Sequence, residues 1–227
     1  MNPFTLDVLQ AINDWQIGGN HNAKVKRGNK LKEVSKSLPD IFKRCNIPCY
    51  RKEVHDNGRL TQLLGDNSLP ETIAAWTTDL SIAQSFKNGV PPKGLQGVIF
   101  KHIPSSDEIV INLVDVYNSD DFKTSIELYK SKIKNFERGI GCYGDEQKEV
   151  ILDLGSIDES KIYVLGGYSS SIYQLAKMYF QATPTKIQYL YFYHLCYYHG
   201  VIDQTKWWLT PEGTQNALSR FRTRYSK

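Results

Sequence analysis

Apolar positions recur at helical spacing near both ends of the chain and at strand spacing through its middle. Residues 6–15 predict a short amphipathic helix, and residues 18–29, polar and basic, predict a loop. Leu31, Val34, Leu38 and Ile41 repeat at steps of three or four and predict a helix over 31–42, with Pro39 placed to kink or restart it. Pro48 ends this helical region, and 48–54 reads as a short strand followed by a loop rich in Gly, Asp and Asn. A strand beginning at Ile73 leads into a helix with Thr78 or Asp79 as its N-cap and Leu80, Ala83 and Phe86 on one face. Residues 91–97 predict a loop, 97–103 and 108–113 two strands, and 122–136 a charged helix. A turn-rich loop over 139–145 precedes strands at 149–154 and 161–167. Beyond Ser169 the pattern turns helical again, at Ile172, Leu175, Met178 and Tyr179, then over 187–198, with a last helix over 213–222. Helices first and many short strands afterwards is an α+β order, not βαβ repetition.

Composition narrows the class. With 227 residues, 41% hydrophobic and 23% charged, the chain suits one compact domain or one domain with an appendage. No stretch approaches the apolar length of a transmembrane helix, and the N-terminus lacks the basic and apolar regions of a secretory signal. Cys45, Cys49, Cys142 and Cys196 fit no disulfide framework, so the expected setting is a reducing cytoplasm, away from membranes. Cys45 and Cys49 with His194, Cys196 and His199 do not have standard zinc spacing, and no metal is expected.

Charge is unevenly spread. The total is +4, but from Tyr168 onward seven Lys or Arg face two acids, a net of +5 that leaves −1 for the first 167 residues. The same segment holds 14 of the 27 aromatic residues. A basic aromatic segment suits nucleic acid, since cations meet phosphates and rings stack on bases. The same rings also suit a helical layer packed into a core. Lys24, Lys26, Arg27, Lys30 and Lys32 form a second basic stretch, which reads by default as a solvated face. Three regions are therefore expected: an N-terminal helix and basic loop (1–30), a core (31–167) and a basic aromatic helical extension (168–227).

Three separated motifs carry the chemistry. Tyr50-Arg51 ends the first strand, Trp76-Thr77-Thr78-Asp79 leads into a helix carrying Ala83 and Phe86, and Gln147-Lys148-Glu149 opens a later strand. In an extended chain, residues 147 and 149 share a face, with Lys148 on the other. In this order the motifs resemble the mono-ADP-ribosyltransferases of the Arg–Ser–Glu class, toxin-like enzymes that use NAD. The resemblance covers roughly residues 31–166. It implies a core of two packed, mainly antiparallel small sheets flanked by helices, with NAD as co-substrate. It makes Arg51 the phosphate clamp, a role suited to a planar guanidinium. Lys52, where glycine is common in the family, would offer a backbone contact to nicotinamide. Thr77, with Thr78, stands where the family has Ser-Thr and would hold the catalytic glutamate or the nicotinamide ribose. Glu149 would be the catalytic glutamate, and the loop over 91–96 would cover the ligand.

Gln147 would face the acceptor, as would Tyr143 in the preceding loop. A glutamate at position 147 would suit arginine. The neutral amide suits a base edge or another amide instead, although Glu146 lies one residue away. The expected acceptor is a nucleic-acid base, with a protein side chain (Asn, Gln or Arg) as the alternative. A catalytically dead nucleic-acid-binding module is the competing reading of another class. The class also implies restraint in the producing cell, by an antitoxin or a chaperone.

Overall fold

The structure is a computed structural model and describes residues 2–56, 72–92, 94–157, 159–168, 171–200 and 206–225. Much of the Gly/Asp/Asn-rich loop expected after the first strand lies outside the described residues. Among the described residues, seven strands form one antiparallel sheet: β1 (Cys49–Asp56), β2 (Ile73–Thr77), β3 (Leu95–His102), β4 (Ile109–Asn112), β5 (Glu149–Asp153), β6 (Ile162–Tyr168) and β7 (Lys206–Trp208). Their order across the sheet is β4-β5-β2-β1-β3-β6-β7. The expected pair of small sheets is thus one sheet, but the join between its halves is slight. β1 and β3 pair along eight residues, from Cys49↔His102 to Asp56↔Leu95. β2 and β5 pair from Ile73↔Asp153 to Thr77↔Glu149. Among the described residues, β1 and β2 pair at Tyr50↔Thr77 alone.

Helices cover both faces. On one face, α1 (Leu6–Ile17), α2 (His21–Ser35), α4 (Leu113–Asn118) and α5 (Asp120–Tyr129) bury Leu9, Ile12, Leu31, Leu113 and Phe122 against Ile111 and Ile151. On the other, Trp76, Val98, Phe100, Val150 and Leu152 pack with Leu218 of α9 (Pro211–Tyr225). The short helix α3 (Leu80–Ser85) sets Ala83 against Ile99 and Val164. A single turn, α6 (Ile140–Tyr143), precedes β5. The antiparallel helices α7 (Ile172–Phe180) and α8 (Lys186–Tyr198) bury Ile172, Ala176, Phe192 and Cys196 in a small core of their own. Cys45 and Cys49 lie in the sheet core instead, with sulfurs 3.6 Å apart. No helix among the described residues is long and apolar enough to cross a membrane.

Several sequence expectations change. The basic loop over 18–29 is mostly helix: Asn20 caps α2 by accepting from the Ala23 N–H at 3.0 Å. Its buried face is Gly28, Leu31 and Ser35, and a pattern begun by a glycine is invisible to a hydrophobic count. The helix expected over 31–42 belongs to α2 and ends at Ser35, and Pro39 restarts the chain only as a short 3₁₀ turn, Asp40–Lys43. Asp79, not Thr78, caps α3 by accepting from the Ser81 N–H at 2.9 Å. The charged helix starts at Asp120 and stops at Tyr129, well short of residue 136. The loop expected over 91–96 is shortened, because β3 begins at Leu95.

The extension is helical over α7 and α8, but its last part completes the sheet. β7 pairs with β6, Leu165 N–H donates to the buried Thr214 hydroxyl of α9 at 3.0 Å, and Trp208 Nε1 donates to the Gln84 carbonyl at 2.9 Å.

Gly28 sets how closely α2 can approach. A Cβ there would lie 3.1 Å from Ile73 Cγ2 and 3.2 Å from the Trp15 ring. Gly28→Leu is expected to destabilise the protein by about 1–3 kcal/mol through overpacking. A thermal melt equal to wild type would show that this crossing has slack.

Candidate active site

Where β1 and β2 part, the sheet opens into a cleft of about 560 Å³, a size typical of ligand pockets. Arg51, Lys52, Thr77, Tyr143, Gln147 and Glu149 all line it. The alternation of β1 turns Arg51 away from the face that carries Tyr50 and Thr77, yet the split lets it fill the gap. Its Nε donates to Glu53 Oε1 at 2.9 Å and its Nη1 to the Ala75 carbonyl at 3.3 Å. Burial pushes Glu53 up, but His55 and Arg51 outweigh it and hold the carboxyl at about 2. The result is a fixed, charged brace that keeps the guanidinium in the opening. Lys52 points its ammonium at the carbonyls of Phe86 and Gly89, tying β1 to the turn after α3.

Glu149 is the first residue of β5 and sits directly across from Thr77. It is only 8% exposed. Burial raises its carboxyl to about 7, opposed by one hydrogen bond from the Trp15 indole N–H to Oε1 at 2.9 Å. Thr77 is 9% exposed, and its hydroxyl accepts from the Asp79 N–H at 3.1 Å, which leaves the hydroxyl proton available for donation. Two clamps hold the start of β5. Lys148 Nζ pairs with Asp79 Oδ2 at 2.8 Å, and the Thr78 N–H donates to the Lys148 carbonyl at 3.0 Å. Lys148, helped by Ser81, holds Asp79 well below the usual carboxylate range.

The expected site residues meet with two qualifications. Thr78 does not line the cleft; its backbone and hydroxyl face the Lys148 carbonyl instead. Gln147 lines the cleft, but not because the chain is extended there: 147 lies in a turn and Lys148 has φ 44°. The turn, not period-two alternation, brings Gln147 beside Glu149. The exposed Glu146 is not part of the lining, which removes the register ambiguity.

Trp15, Lys24, Arg27 and Lys87 also line the cleft and were not singled out for it by sequence. Trp15 closes the expected helix over 6–15, and nothing local indicates that it meets a carboxylate 134 positions away. Gln16 extends the contact: its amide donates to the Gly144 carbonyl at 3.0 Å and accepts from the Tyr117 hydroxyl at 2.8 Å. The N-terminal helix is therefore a wall of the site. Among the described residues that line the cleft, Glu149 is the one carboxylate, buried, with a raised pKa, facing a hydroxyl and accompanied by cations, a set of groups able to stabilise positive charge that develops on an anionic ligand. No family model, curated protein or solved structure matches the chain.

Proposed function

We propose that the protein is an NAD-dependent mono-ADP-ribosyltransferase of the Arg–Ser–Glu type. One observation carries this reading: Arg51, Thr77 and Glu149, far apart in sequence, line one cleft at a split in the sheet. The split also relates to the two small sheets that the resemblance implies, since each half is well paired and the join is a single residue pair.

In this reading Arg51 holds a phosphate of NAD by charge-assisted hydrogen bonds. Thr77 positions the nicotinamide ribose. The Glu149 carboxylate accepts a hydrogen bond from the ribose 2′-hydroxyl and stabilises the positive charge that grows at C1′. The C1′–N bond breaks and its electron pair leaves with nicotinamide. The acceptor's lone pair then forms the new bond to C1′, and the acceptor's proton passes to solvent. Glu149 must be ionised for this role, so the rate rises with pH through about 7.

The acceptor is a nucleic-acid base in our reading. Gln147 would pair with its edge through a neutral amide, and Tyr143, 36% exposed at the cleft, would stack on it. An antitoxin or chaperone would restrain the enzyme in the cell that makes it. The test is release of nicotinamide from NAD by the purified protein, followed by labelled NAD with cell extract digested separately by nuclease and protease. Label lost to nuclease supports a nucleic-acid acceptor; label lost only to protease redirects it to protein. Absence of nicotinamide release with both RNA and protein extracts sinks the enzyme reading. Gln147→Ala is expected to lose transfer while keeping NAD hydrolysis, and equal loss of both would remove its acceptor role.

A further inference from the structure

Among the described residues, five cations line the cleft and Glu149 is the one carboxylate. Arg51 and Lys52 come from β1, Lys87 from the turn after α3, and Lys24 and Arg27 from α2. Their donors are engaged differently. Arg51 donates to Glu53 and Ala75, and Lys52 to two backbone carbonyls. Arg27 itself lines the cleft, and its Nη1, in contrast, is shut away from water with no hydrogen-bond partner among the described residues. Buried guanidinium donors are satisfied in nearly all native proteins, and an exception at a cleft points to an acceptor that arrives with the ligand.

The turn between α1 and α2 makes room for this guanidinium. Gly19 has φ +134°, and a Cβ there would lie 3.2 Å from Arg27 Nη1 and 3.0 Å from Ala23 Cβ. Lys24 lies three residues before Arg27 on α2, so the two side chains share one face of the helix. That face lines the cleft, and α2 is fixed there by the contact of Gly28 with Ile73.

We propose that Arg27, assisted by Lys24, is a second phosphate anchor of the cleft. A dinucleotide's pyrophosphate docks between two walls, with one phosphate on Arg51 of β1 and the other on Arg27 of α2. This inference rests on the reading that the cleft takes NAD, and it adds a specificity element contributed by the N-terminal helix pair. The chemistry recognised is a phosphate oxygen. The proposal commits to the dinucleotide; a nucleic-acid backbone, whose base would enter the same cleft at Gln147 and Tyr143, is the alternative that the RNA probe separates.

Calorimetric titration tests it, using ADP-ribose, adenosine and a short single-stranded RNA as probes against wild type, Arg27→Ala, Arg27→Lys and Arg51→Ala. Arg27→Ala is expected to weaken ADP-ribose binding roughly tenfold or more while leaving adenosine and RNA binding unchanged. Arg27→Lys should recover part of the loss, since an ammonium keeps the charge without the planar fork. Unaltered ADP-ribose affinity in Arg27→Ala, with loss in Arg51→Ala, overturns the second anchor and leaves the NAD reading intact. Loss of RNA binding alone would reassign Arg27 to the acceptor and overturn the proposal. Parallel loss of adenosine binding would mean a damaged pocket and no specific phosphate contact. Failure of wild type itself to bind ADP-ribose would take the NAD reading down with it.

Discussion

Glu149→Gln is expected to remove nicotinamide release and, at the same time, to make the protein more stable at alkaline pH. The kinetic loss should be on the order of 10²–10³-fold or more, the size seen when a group aimed at developing charge is deleted. The stability gain has a separate origin. Burial raises the Glu149 carboxyl from 4.5 to about 7, so between those values the folded protein binds a proton that the unfolded chain has released. Folding therefore loses stability as pH climbs through that window, by about 3 kcal/mol for this one group. A glutamine never ionises, and its carbonyl can still accept the Trp15 N–H. Variant and wild type should melt together near pH 4, and the variant should gain about 3 kcal/mol by pH 8. All other titrations cancel in the difference. Paired melts at the two pH values check this. A variant that is no more stable at pH 8 would mean that the carboxylate is better solvated than its 8% exposure implies. Retained turnover would remove Glu149 from the chemistry.

Trp15→Phe tests how the carboxylate is held ready. The indole N–H donates to Oε1 at 2.9 Å and favours the ionised form against the burial that opposes it. Phenylalanine keeps most of the ring and deletes the donor. A hydrogen bond to a charged group contributes about 1.5–3 kcal/mol, so the Glu149 pKa should climb by on the order of 1 unit beyond 7. The acid limb of the pH–rate profile for nicotinamide release should move upward by the same amount. The rate should then fall several-fold at pH 7 and approach wild type near pH 9. An equal loss at every pH, with the limb unmoved, would leave Trp15 with a packing role only. Because Gly28 backs the same ring, Gly28→Leu should disturb this contact as well as the helix crossing.

The candidate site was partly legible before any coordinates. Arg51, Thr77 and Glu149 stand out only together, through the order and spacing of three motifs; singly none has a specific signature, and Arg51 lies near the start of β1 (Cys49–Asp56), not at the strand end expected for it. Gln147 stood out for a reason that fails: the extended alternation assigned to it is replaced by a turn with Lys148 at φ 44°. Trp15 and Arg27 belonged to no such motif. Trp15 looked like the end of an amphipathic helix, and Arg27 like one charge in a solvated run. Their meaning depends on what lies across from them, and no residue near either in the chain carries that information.

The amino-acid pattern alone determined the α+β order, most of the strands and the helical stretches of the last third, because these follow from periodicity and capping within a few residues. The tertiary structure decided what lies beyond that range. It merged the strands into one sheet, parted β1 from β2 after Tyr50↔Thr77, and gave the C-terminal residues Lys206–Trp208 the sheet's edge. It also brought α1 and α2 over the opening, where the Trp15 N–H meets the Glu149 carboxylate. Pairing between distant strands and packing across a glycine are cooperative outcomes of the whole fold, and burial of Glu149, which sets its ionisation, exists only once those elements have closed around it.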